Sequence, residues 1–302
     1  MRVAVIDIGS NSIKSLVADG ANATPVHEAF AEARLLGGNV PEQDGKISAE
    51  RFAAGVAAVK KLFDDAQKFS PARVEIVGTS VFRTAKNARE FSAAIAKETG
   101  ISVRVLSGDE EAAEIARGVA TDPLVRALEK PAAIFDLGGG SLEFISAGAR
   151  FRKSWALGAV RLMREFVKNP DSAIPQRELA AVRSRVRETA GAELAAHTSA
   201  NSAAVVCGGA LAVVHAIFAA AEEVSPTLFP RTIPLVRMKI LLDRLASRTR
   251  EERLKFPALP PARADILPVA LAVLSEIAEI CGFAQFVYSP RNLRYGIAAE
   301  LA

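Results

Sequence analysis

The sequence is poor in the residues that mark several classes of enzymes and exported proteins. Its 302 residues include two cysteines and three histidines. Cys207 and Cys281 lie far apart in apolar surroundings and form no C-x-x-C pair, which indicates reduced core residues of a cytoplasmic protein. His27, His197 and His215 are scattered along the chain. This scatter excludes a histidine-rich metal centre and disfavours a Ser-His catalytic triad.

Missing motifs narrow the possible functions further. Neither cysteine is followed six positions later by arginine, because Val213 and Val287 stand there, so a cysteine-nucleophile phosphatase is excluded. No G-x-x-x-x-G-K-[ST] motif is present, which excludes a P-loop protein. Asp7 interrupts the N-terminal apolar run, and the most apolar helix candidate, residues 210–221, is too short to cross a bilayer. We therefore expect a soluble protein without a membrane or nucleic-acid partner.

The composition is that of an ordinary globular protein and mildly favours an anionic ligand. Apolar residues make up 50% of the chain and charged residues 24%, with no long biased tract. A chain of this length can bury two cores. The 38 basic residues exceed the 34 acidic ones, which gives a formal charge of +4. That surplus is weak evidence for an anionic partner, since many soluble proteins carry as much.

Apolar runs and turn residues in the first half predict a mixed α/β domain. Ser48 is predicted to cap a long helix, and Asn87 with Glu90 resembles a capping box for the next one. The predicted strands cover residues 3–8, 13–18, 26–36 (as one strand or two), 73–77 and 103–106.

The turn-rich segment of residues 121–131 is the best candidate for a domain boundary, because the pattern of the first half starts again after it. We therefore assign residues 1–124 and 125–302 to two α/β domains, with a short helix at about residues 293–302. The strands predicted in the second domain cover residues 132–137, 142–147, 151–156, 203–207 and 286–288.

The strongest signal is a short motif that occurs twice, each time at the end of a predicted strand. Residues 7–12 read Asp-Ile-Gly-Ser-Asn-Ser, and residues 136–141 read Asp-Leu-Gly-Gly-Gly-Ser. Glycine turns can present bare backbone N–H groups to phosphate, and an adjacent aspartate suits a divalent cation that bridges to it. A lone Asp-x-Gly is more often an Asx turn, but two copies in matching context favour phosphate and metal binding. The candidates in these turns are Gly9, Ser10, Asn11, Ser12, Gly138, Gly139, Gly140 and Ser141, with Asp7 and Asp136 as metal ligands.

Other charged residues are less decisive on pattern alone. Glu143 lies two residues beyond Ser141, so strand alternation places it on the same side; a solvated glutamate fits the pattern equally well. Glu110 and Glu111 open a predicted helix, where the helix dipole favours acids in any case. Arg83 is a candidate phosphate clamp, although a surface arginine is also a strong interpretation when its position is considered alone. A hydrolase acting on metal-bound phosphate would need one such carboxylate to deprotonate or orient water.

Taken together, the motifs resemble the exopolyphosphatase / guanosine pentaphosphate phosphatase (Ppx/GppA) family in content and order. The matching segments include residues 7–12, residues 107–112 (Ser-Gly-Asp-Glu-Glu-Ala) and residues 136–143. Residues 79–83, the turns at residues 158–160 and 208–209, and residues 263–268 (Arg-Ala-Asp-Ile-Leu-Pro) also match. The likeness therefore covers nearly the whole chain.

The resemblance implies a fold, a reaction and residue roles. The fold is α/β, with two ribonuclease-H-like domains of the actin, sugar-kinase and Hsp70 superfamily and an interdomain cleft; the helix at residues 293–302 returns to the first domain. The reaction is removal of a terminal phosphate from polyphosphate or guanosine pentaphosphate with Mg²⁺ or Mn²⁺. The implied roles are catalytic base for Glu111, phosphate clamp for Arg83, metal ligands for Asp7, Asp136 and Glu143, and phosphate contacts for Gly208 and Gly209.

The chain also departs from the family pattern. Leu142 stands where the family usually has threonine, and residues 207–210 (Cys-Gly-Gly-Ala) lack the hydroxyl groups common in the third turn. The choice of Glu111 over Glu110 as the base rests on the family pattern. The chain resembles the short form of the family, without a further helical region that carries a histidine–aspartate motif.

Several functions remain open at this level. The leading hypothesis is a cytoplasmic exopolyphosphatase, and guanosine pentaphosphate 5′-phosphohydrolase is its nearest alternative. An actin-like sugar or acetate kinase is disfavoured by the Glu110–Glu111 pair and by the lack of an adenosine-binding signature. A non-hydrolytic sensor that binds a nucleotide such as guanosine penta- or tetraphosphate is the third reading. A homodimer is expected from the family likeness alone.

Overall fold

The computed structural model describes residues 1–35, 45–130, 132–199 and 202–302. The chain divides into two compact units. Unit 1 comprises residues 1–126 and 291–302, and unit 2 comprises residues 127–290. The predicted boundary segment ends at Pro131, and the strand predicted over residues 26–36 ends at Leu36; both of these residues lie outside the described part of the chain.

Eleven strands are found in the described residues, five in unit 1 and six in unit 2. They are β1 (Arg2–Ile8), β2 (Ser12–Asp19), β3 (Thr24–Glu32), β4 (Arg73–Gly78), β5 (Val103–Val105), β6 (Ala132–Leu137), β7 (Leu142–Ile145), β8 (Arg152–Trp155), β9 (Ala203–Cys207), β10 (Thr232–Pro234) and β11 (Gln285–Tyr288).

Twelve α-helices connect or cover these strands in the same residues, together with a short 3-10 helix at Pro261–Arg263. They are α1 (Ala49–Gln67), α2 (Ser80–Thr84), α3 (Ala88–Thr99), α4 (Gly108–Ala120), α5 (Pro123–Arg126), α6 (Ala159–Phe166), α7 (Gln176–His197), α8 (Gly209–Ala221), α9 (Leu235–Ala246), α10 (Arg250–Arg253), α11 (Leu267–Cys281) and α12 (Leu293–Leu301).

The two sheets share one topology. In unit 1 the strand order is β3-β2-β1-β4-β5, with β2 antiparallel and β4 parallel to β1. In unit 2 the order is β10-β11-β9-β6-β7-β8, with β7 antiparallel and β9 parallel to β6. Apart from the added strand β10, β6 therefore has the neighbours that β1 has. The motif repeated in the sequence corresponds to a repeat in the fold.

Each unit has its own hydrophobic core. In unit 1, Ile6, Ile8 and Ile13 on one sheet face are packed in one cluster with Phe91 and Ile95 of α3. In unit 2, a larger cluster includes Phe135 and Phe144 of the sheet and apolar side chains of α7, α8 and α11. These cores satisfy the requirement that each sheet bury its apolar face against helices.

In unit 1, helices α4 and α12 approach each other through glycine. A Cβ added to Gly118 of α4 would lie 2.8 Å from the Asn292 carbonyl carbon. A Cβ added to Gly296 of α12 would lie 2.7 Å from the Glu114 carbonyl carbon and closer still to its oxygen. Both helices are thus in backbone contact, and α12 also packs on β1 and β2.

Several local predictions are confirmed and one is wrong. Ser48 caps α1 by accepting from Arg51 N at 3.4 Å. The segment before residue 36 holds a single strand, β3. Asn87 starts α3 but makes no side-chain cap; its side chain instead accepts from Ile47 N at 2.8 Å and donates to Ile47 O at 2.9 Å. The capping-box prediction at Asn87 fails because a partner 40 residues away competes for the amide.

The helices described are either too short or too polar to cross a membrane.

Candidate active site

The first repeated turn connects β1 to β2 and contains buried polar side chains. Gly9 N donates to Ser12 O at 3.2 Å, which closes the turn just after Asp7. Ser10 and Asn11 are each 4% exposed. Within the described residues, the Ser10 hydroxyl and both polar atoms of the Asn11 amide are buried without a hydrogen-bond partner. Buried polar groups of this kind are rare and call for a bound ligand or water.

The second repeated turn connects β6 to β7 and has the same closing bond, from Gly138 N to Ser141 O at 3.0 Å. The carbonyl of Gly138 accepts from Ala159 N, and that of Gly139 accepts from Val160 N, both at 3.0 Å. Backbone N–H groups at the N-terminus of α6 are therefore hydrogen-bonded to the carbonyl oxygens of this turn.

Gly158 is the reason that α6 comes so close to this turn. A Cβ at Gly158 would overlap the carbonyl group of Gly139 and the carbonyl carbon of Gly140. Only glycine fits between the helix and the turn without displacing one of them.

Two predicted metal ligands lie next to each other in unit 2. Asp136 on β6 is the direct register partner of Glu143 on β7, so their side chains lie on the same face of the sheet. Glu143 is 2% exposed and accepts from Ser154 Oγ at 2.8 Å. Two carboxylates placed opposite each other repel unless a cation or a proton lies between them.

The donor set fits a magnesium ion. Mg²⁺ commonly takes one or two carboxylates and completes its shell with waters and substrate phosphates, and Asp136 with Glu143 supply such a pair. Within the part of the chain that the structure describes, no group of three His, Cys, Asp or Glu side chains is arranged to hold a metal by itself. The metal ligands, including Asp7, therefore stay a prediction.

In the first repeat, the position equivalent to Glu143 is occupied by lysine. Lys14 on β2 is the register partner of Asp7 on β1, as Glu143 is of Asp136. Lys14 was not among the site residues predicted from the sequence, although it follows Asp7 by the same seven residues that separate Asp136 from Glu143. The two repeats thus carry opposite charges at one equivalent position.

Glu111 and Arg83 form an ion pair at the N-terminus of α4. Arg83 Nη1 donates to Glu111 Oε2 at 2.8 Å and to Leu106 O at 2.7 Å. Glu111 is 7% exposed. Arg83 follows the turn after β4, where Thr79 Oγ1 donates to Ile8 O at 3.4 Å. The structure brings these two predicted catalytic residues together. The bond from Thr79 also links the turn that precedes Arg83 to the end of β1, where the first repeated turn begins.

Glu110, the neighbour of Glu111, has a structural role. Its carboxylate accepts from Ser107 N at 2.8 Å, and the Ser107 hydroxyl accepts from Glu110 N at 3.2 Å. This reciprocal pair is a capping box. The backbone and side-chain bonds to Ser107 hold the pKa of the Glu110 carboxyl below its ordinary value.

The third predicted turn lies at the start of α8. Gly208 has φ +96°, a conformation that side chains other than glycine rarely adopt, and a Cβ there would overlap Asp136 Oδ1. A Cβ at Gly209 would lie 2.5 Å from Arg263 Nη2 and 3.0 Å from Arg263 Cζ. The structure therefore brings Arg263 against the N-terminus of α8, where the helix dipole favours anions. Arg263 lies in one of the motifs that match the family, but no role was predicted for it from the sequence.

Comparisons with known proteins identify the family of the chain. Residues 13–302 match the model of the Ppx/GppA phosphatase family. The chain is 27% identical over 320 residues to exopolyphosphatase 2 of Mycobacterium tuberculosis, which covers 100% of this chain and 98% of that protein.

Solved structures resemble the chain over nearly its whole length. An exopolyphosphatase from Cytophaga hutchinsonii has a TM-score of 0.87 at 23% identity, covering 100% of this chain and 97% of the other. The Aquifex aeolicus member of the Ppx/GppA family has a TM-score of 0.79 at 24% identity, with the same coverage. The predicted α/β fold class with two sheets of related topology and the predicted enzyme class are confirmed. The chain belongs to the Ppx/GppA phosphatase family and is a phosphoanhydride hydrolase.

Proposed function

We propose that the protein is an exopolyphosphatase that releases the terminal phosphate of inorganic polyphosphate. The observation that carries the proposal is the set of buried, unpartnered polar atoms of Ser10 and Asn11 in the turn after Asp7. Hydroxyl and amide groups in a glycine turn are suited to phosphate oxygens. The name of the Mycobacterium tuberculosis relative supports polyphosphate as the substrate.

Glu111 is the proposed catalytic base. It is a largely buried carboxylate at a helix N-terminus, and Arg83 holds one of its oxygens at 2.8 Å. The fixed carboxylate would accept the proton of a water molecule as the water attacks the terminal phosphorus. Arg83 orients Glu111 in the structure, and its predicted role as a phosphate clamp remains part of the proposal.

The turns are proposed to hold the substrate. In unit 1, Ser10, Asn11 and Ser12 would donate to phosphate oxygens. In unit 2, Ser141 and the backbone N–H groups at Gly208 and Gly209 are suited to the same kind of contact. Lys14 and Arg263 would neutralise phosphate charge. Asp136 and Glu143 in unit 2 would hold Mg²⁺ or Mn²⁺. Asp7 in unit 1 is proposed separately as a metal ligand. A bound divalent ion supplies charge neutralisation on the transferred phosphoryl group.

The decisive experiment compares two neighbouring substitutions. Purified wild-type protein, Glu111→Gln and Glu110→Gln would be assayed for phosphate release with Mg²⁺ from long polyphosphate, tripolyphosphate and guanosine pentaphosphate. Glu111→Gln should lower kcat by about 10²–10⁴-fold, the usual contribution of a positioned base. Glu110→Gln should keep wild-type kcat, since glutamine also serves at this position of a capping box.

The same assay separates the alternatives. Preference for guanosine pentaphosphate over polyphosphate would identify the pentaphosphate phosphohydrolase. Binding of all substrates without release would favour a sensor, and equal rates for wild type and Glu111→Gln would refute the assignment of the base. A cytoplasmic homodimer is part of the proposal, and light scattering of the purified protein checks the dimer.

A further inference from the structure

The carbonyl oxygens of residues 138–140, in the second repeated turn, all accept hydrogen bonds from α6. Those of Gly138 and Gly139 accept from backbone N–H groups at the start of the helix. That of Gly140 accepts from a side chain, because Arg161 Nε donates to it at 3.1 Å. Arg161 is half-buried, and its backbone N–H also donates to Gly139 O at 3.1 Å. The last peptide unit of the turn is therefore held by a side chain and the other two by backbone.

The direction of each carbonyl fixes the direction of the N–H group that follows it. In a planar trans peptide unit the C=O and N–H bonds point in opposite directions, and the peptide bonds of this turn are trans. A carbonyl held against α6 therefore turns the next N–H group away from the helix. The groups concerned are those of Gly139, Gly140 and Ser141, and none of them has a backbone acceptor among the described residues. Successive N–H groups that point to one side form a concavity suited to an anion.

The equivalent peptide unit of the first turn is held in a different way. Asn11 occupies in that repeat the position of Gly140. Its carbonyl oxygen accepts from two backbone N–H groups, those of Ala33 at 3.2 Å and Arg34 at 2.8 Å. Both repeats thus fix the same peptide unit, one with backbone donors and the other with Arg161. This recurrence by different means indicates that the direction of the unit is important to the turn.

Glycine makes this support necessary in the second turn. Gly140 has no Cβ, so the peptide unit between it and Ser141 can rotate with little steric resistance. A rotated unit would direct a carbonyl oxygen, instead of an N–H group, towards a bound phosphate and would repel it. A hydrogen bond from a guanidinium group to the carbonyl opposes this rotation, and such charge-assisted bonds are roughly twice as strong as neutral ones.

We propose that Arg161 is a positioning residue, which directs the Ser141 N–H group at a phosphate oxygen of the substrate by holding the Gly140 carbonyl. This inference rests on the proposed phosphate-binding role of residues 138–141. Arg161 acts through the backbone and needs no contact of its own with the substrate. The property required at position 161 is a hydrogen-bond donor, and the positive charge is secondary.

Two uncharged substitutions of equal length separate the donor from the charge. The side-chain nitrogen of glutamine is as many bonds from Cα as arginine Nε, so Arg161→Gln keeps a donor at that place. Arg161→Met has the same length and no donor. Arg177→Met is the matched control, because Arg177 is an exposed arginine of α7 in the same unit. Phosphate release from tripolyphosphate with Mg²⁺ would be measured for these proteins and wild type, together with their thermal unfolding.

We expect Arg161→Met to raise KM about 10-fold, because the phosphate loses a hydrogen bond of the kind made to charged groups. Arg161→Gln should keep KM within about threefold of wild type, since its donor is neutral and holds the carbonyl less firmly. Arg177→Met should keep wild-type KM and kcat. A variant that merely folds less well would lose kcat at unchanged KM, so the rise in KM distinguishes positioning from stability.

Three results would overturn the inference. They are a wild-type KM in Arg161→Met, an equal rise of KM in Arg161→Gln and Arg161→Met, and an equal rise in Arg177→Met. The second would show that the charge at position 161 acts on the phosphate directly, and the third that any lost surface cation has the same effect. Failure of the proposed function is distinguishable, because wild type would then release no phosphate from tripolyphosphate or long polyphosphate.

Discussion

The glycine contact between α4 and α12 makes a quantitative prediction for Gly296→Ala. The new methyl group would lie 2.7 Å from the Glu114 carbonyl carbon, whereas real Cβ atoms essentially never approach closer than 3.0 Å. The obstacle is backbone, so no side chain can rotate away and the helices must separate. Overpacking of this kind costs up to about 3 kcal/mol, and the gain in helix propensity returns about 1 kcal/mol. We expect a net loss of about 2 kcal/mol, which lowers the melting temperature by roughly 4–8 °C.

Gly191→Ala is the matched control, because Gly191 also lies inside a helix, α7. The atoms nearest to its added Cβ are Arg187 Cγ at 3.6 Å and Ile280 Cδ1 at 3.9 Å, both ordinary contacts. This variant should gain up to about 1 kcal/mol. Thermal unfolding followed by circular dichroism measures both. A Gly296→Ala protein as stable as Gly191→Ala would refute the claim that the helices are in backbone contact.

Two further predictions concern the second turn and a buried histidine. Gly158→Ala should displace the turn at residues 138–140 and lower kcat for phosphate release by up to about 10²-fold; Gly191→Ala is again the control, and wild-type rates in both variants would contradict the packing argument. Burial lowers the pKa of His215 below its ordinary value of 6.5. The unfolded chain then binds the proton more readily, so stability is lost as the pH falls through this range. Between pH 8 and pH 5.5, the free energy of unfolding of His215→Gln should therefore fall less than that of wild type. Urea unfolding at both pH values measures this difference, and an equal fall in the two proteins would show that His215 does not cause the loss.

Local sequence signals predicted the strands and turns well, because apolar runs end where glycine and aspartate begin. They could not separate Glu110 from Glu111, since both stand in the first turn of one helix. The distinction depends on Arg83, which reaches Glu111 from 28 positions earlier in the chain. The error at Asn87 has the same origin, since its partner Ile47 is remote in sequence.

Short and charged elements were also missed for physical reasons. Strand β10 has three residues and ends in Pro234, so it carries little alternation to detect. Lys14 and Arg263 look like ordinary surface cations in the sequence. The strand register places Lys14 opposite Asp7. The close approach of Arg263 to Gly209 places Arg263 beside the third turn.

The placement of α12 has a consequence for synthesis on the ribosome. Unit 1 begins the chain, yet α12, which packs on β1, β2 and α4, is translated after the whole of unit 2. At about 5–20 residues per second, residues 127–290 take roughly 8–33 s to be made. During that interval the nascent first sheet lacks part of its cover, while unit 2 is continuous and can fold as it emerges. The half that is synthesised first is therefore the half that is completed last.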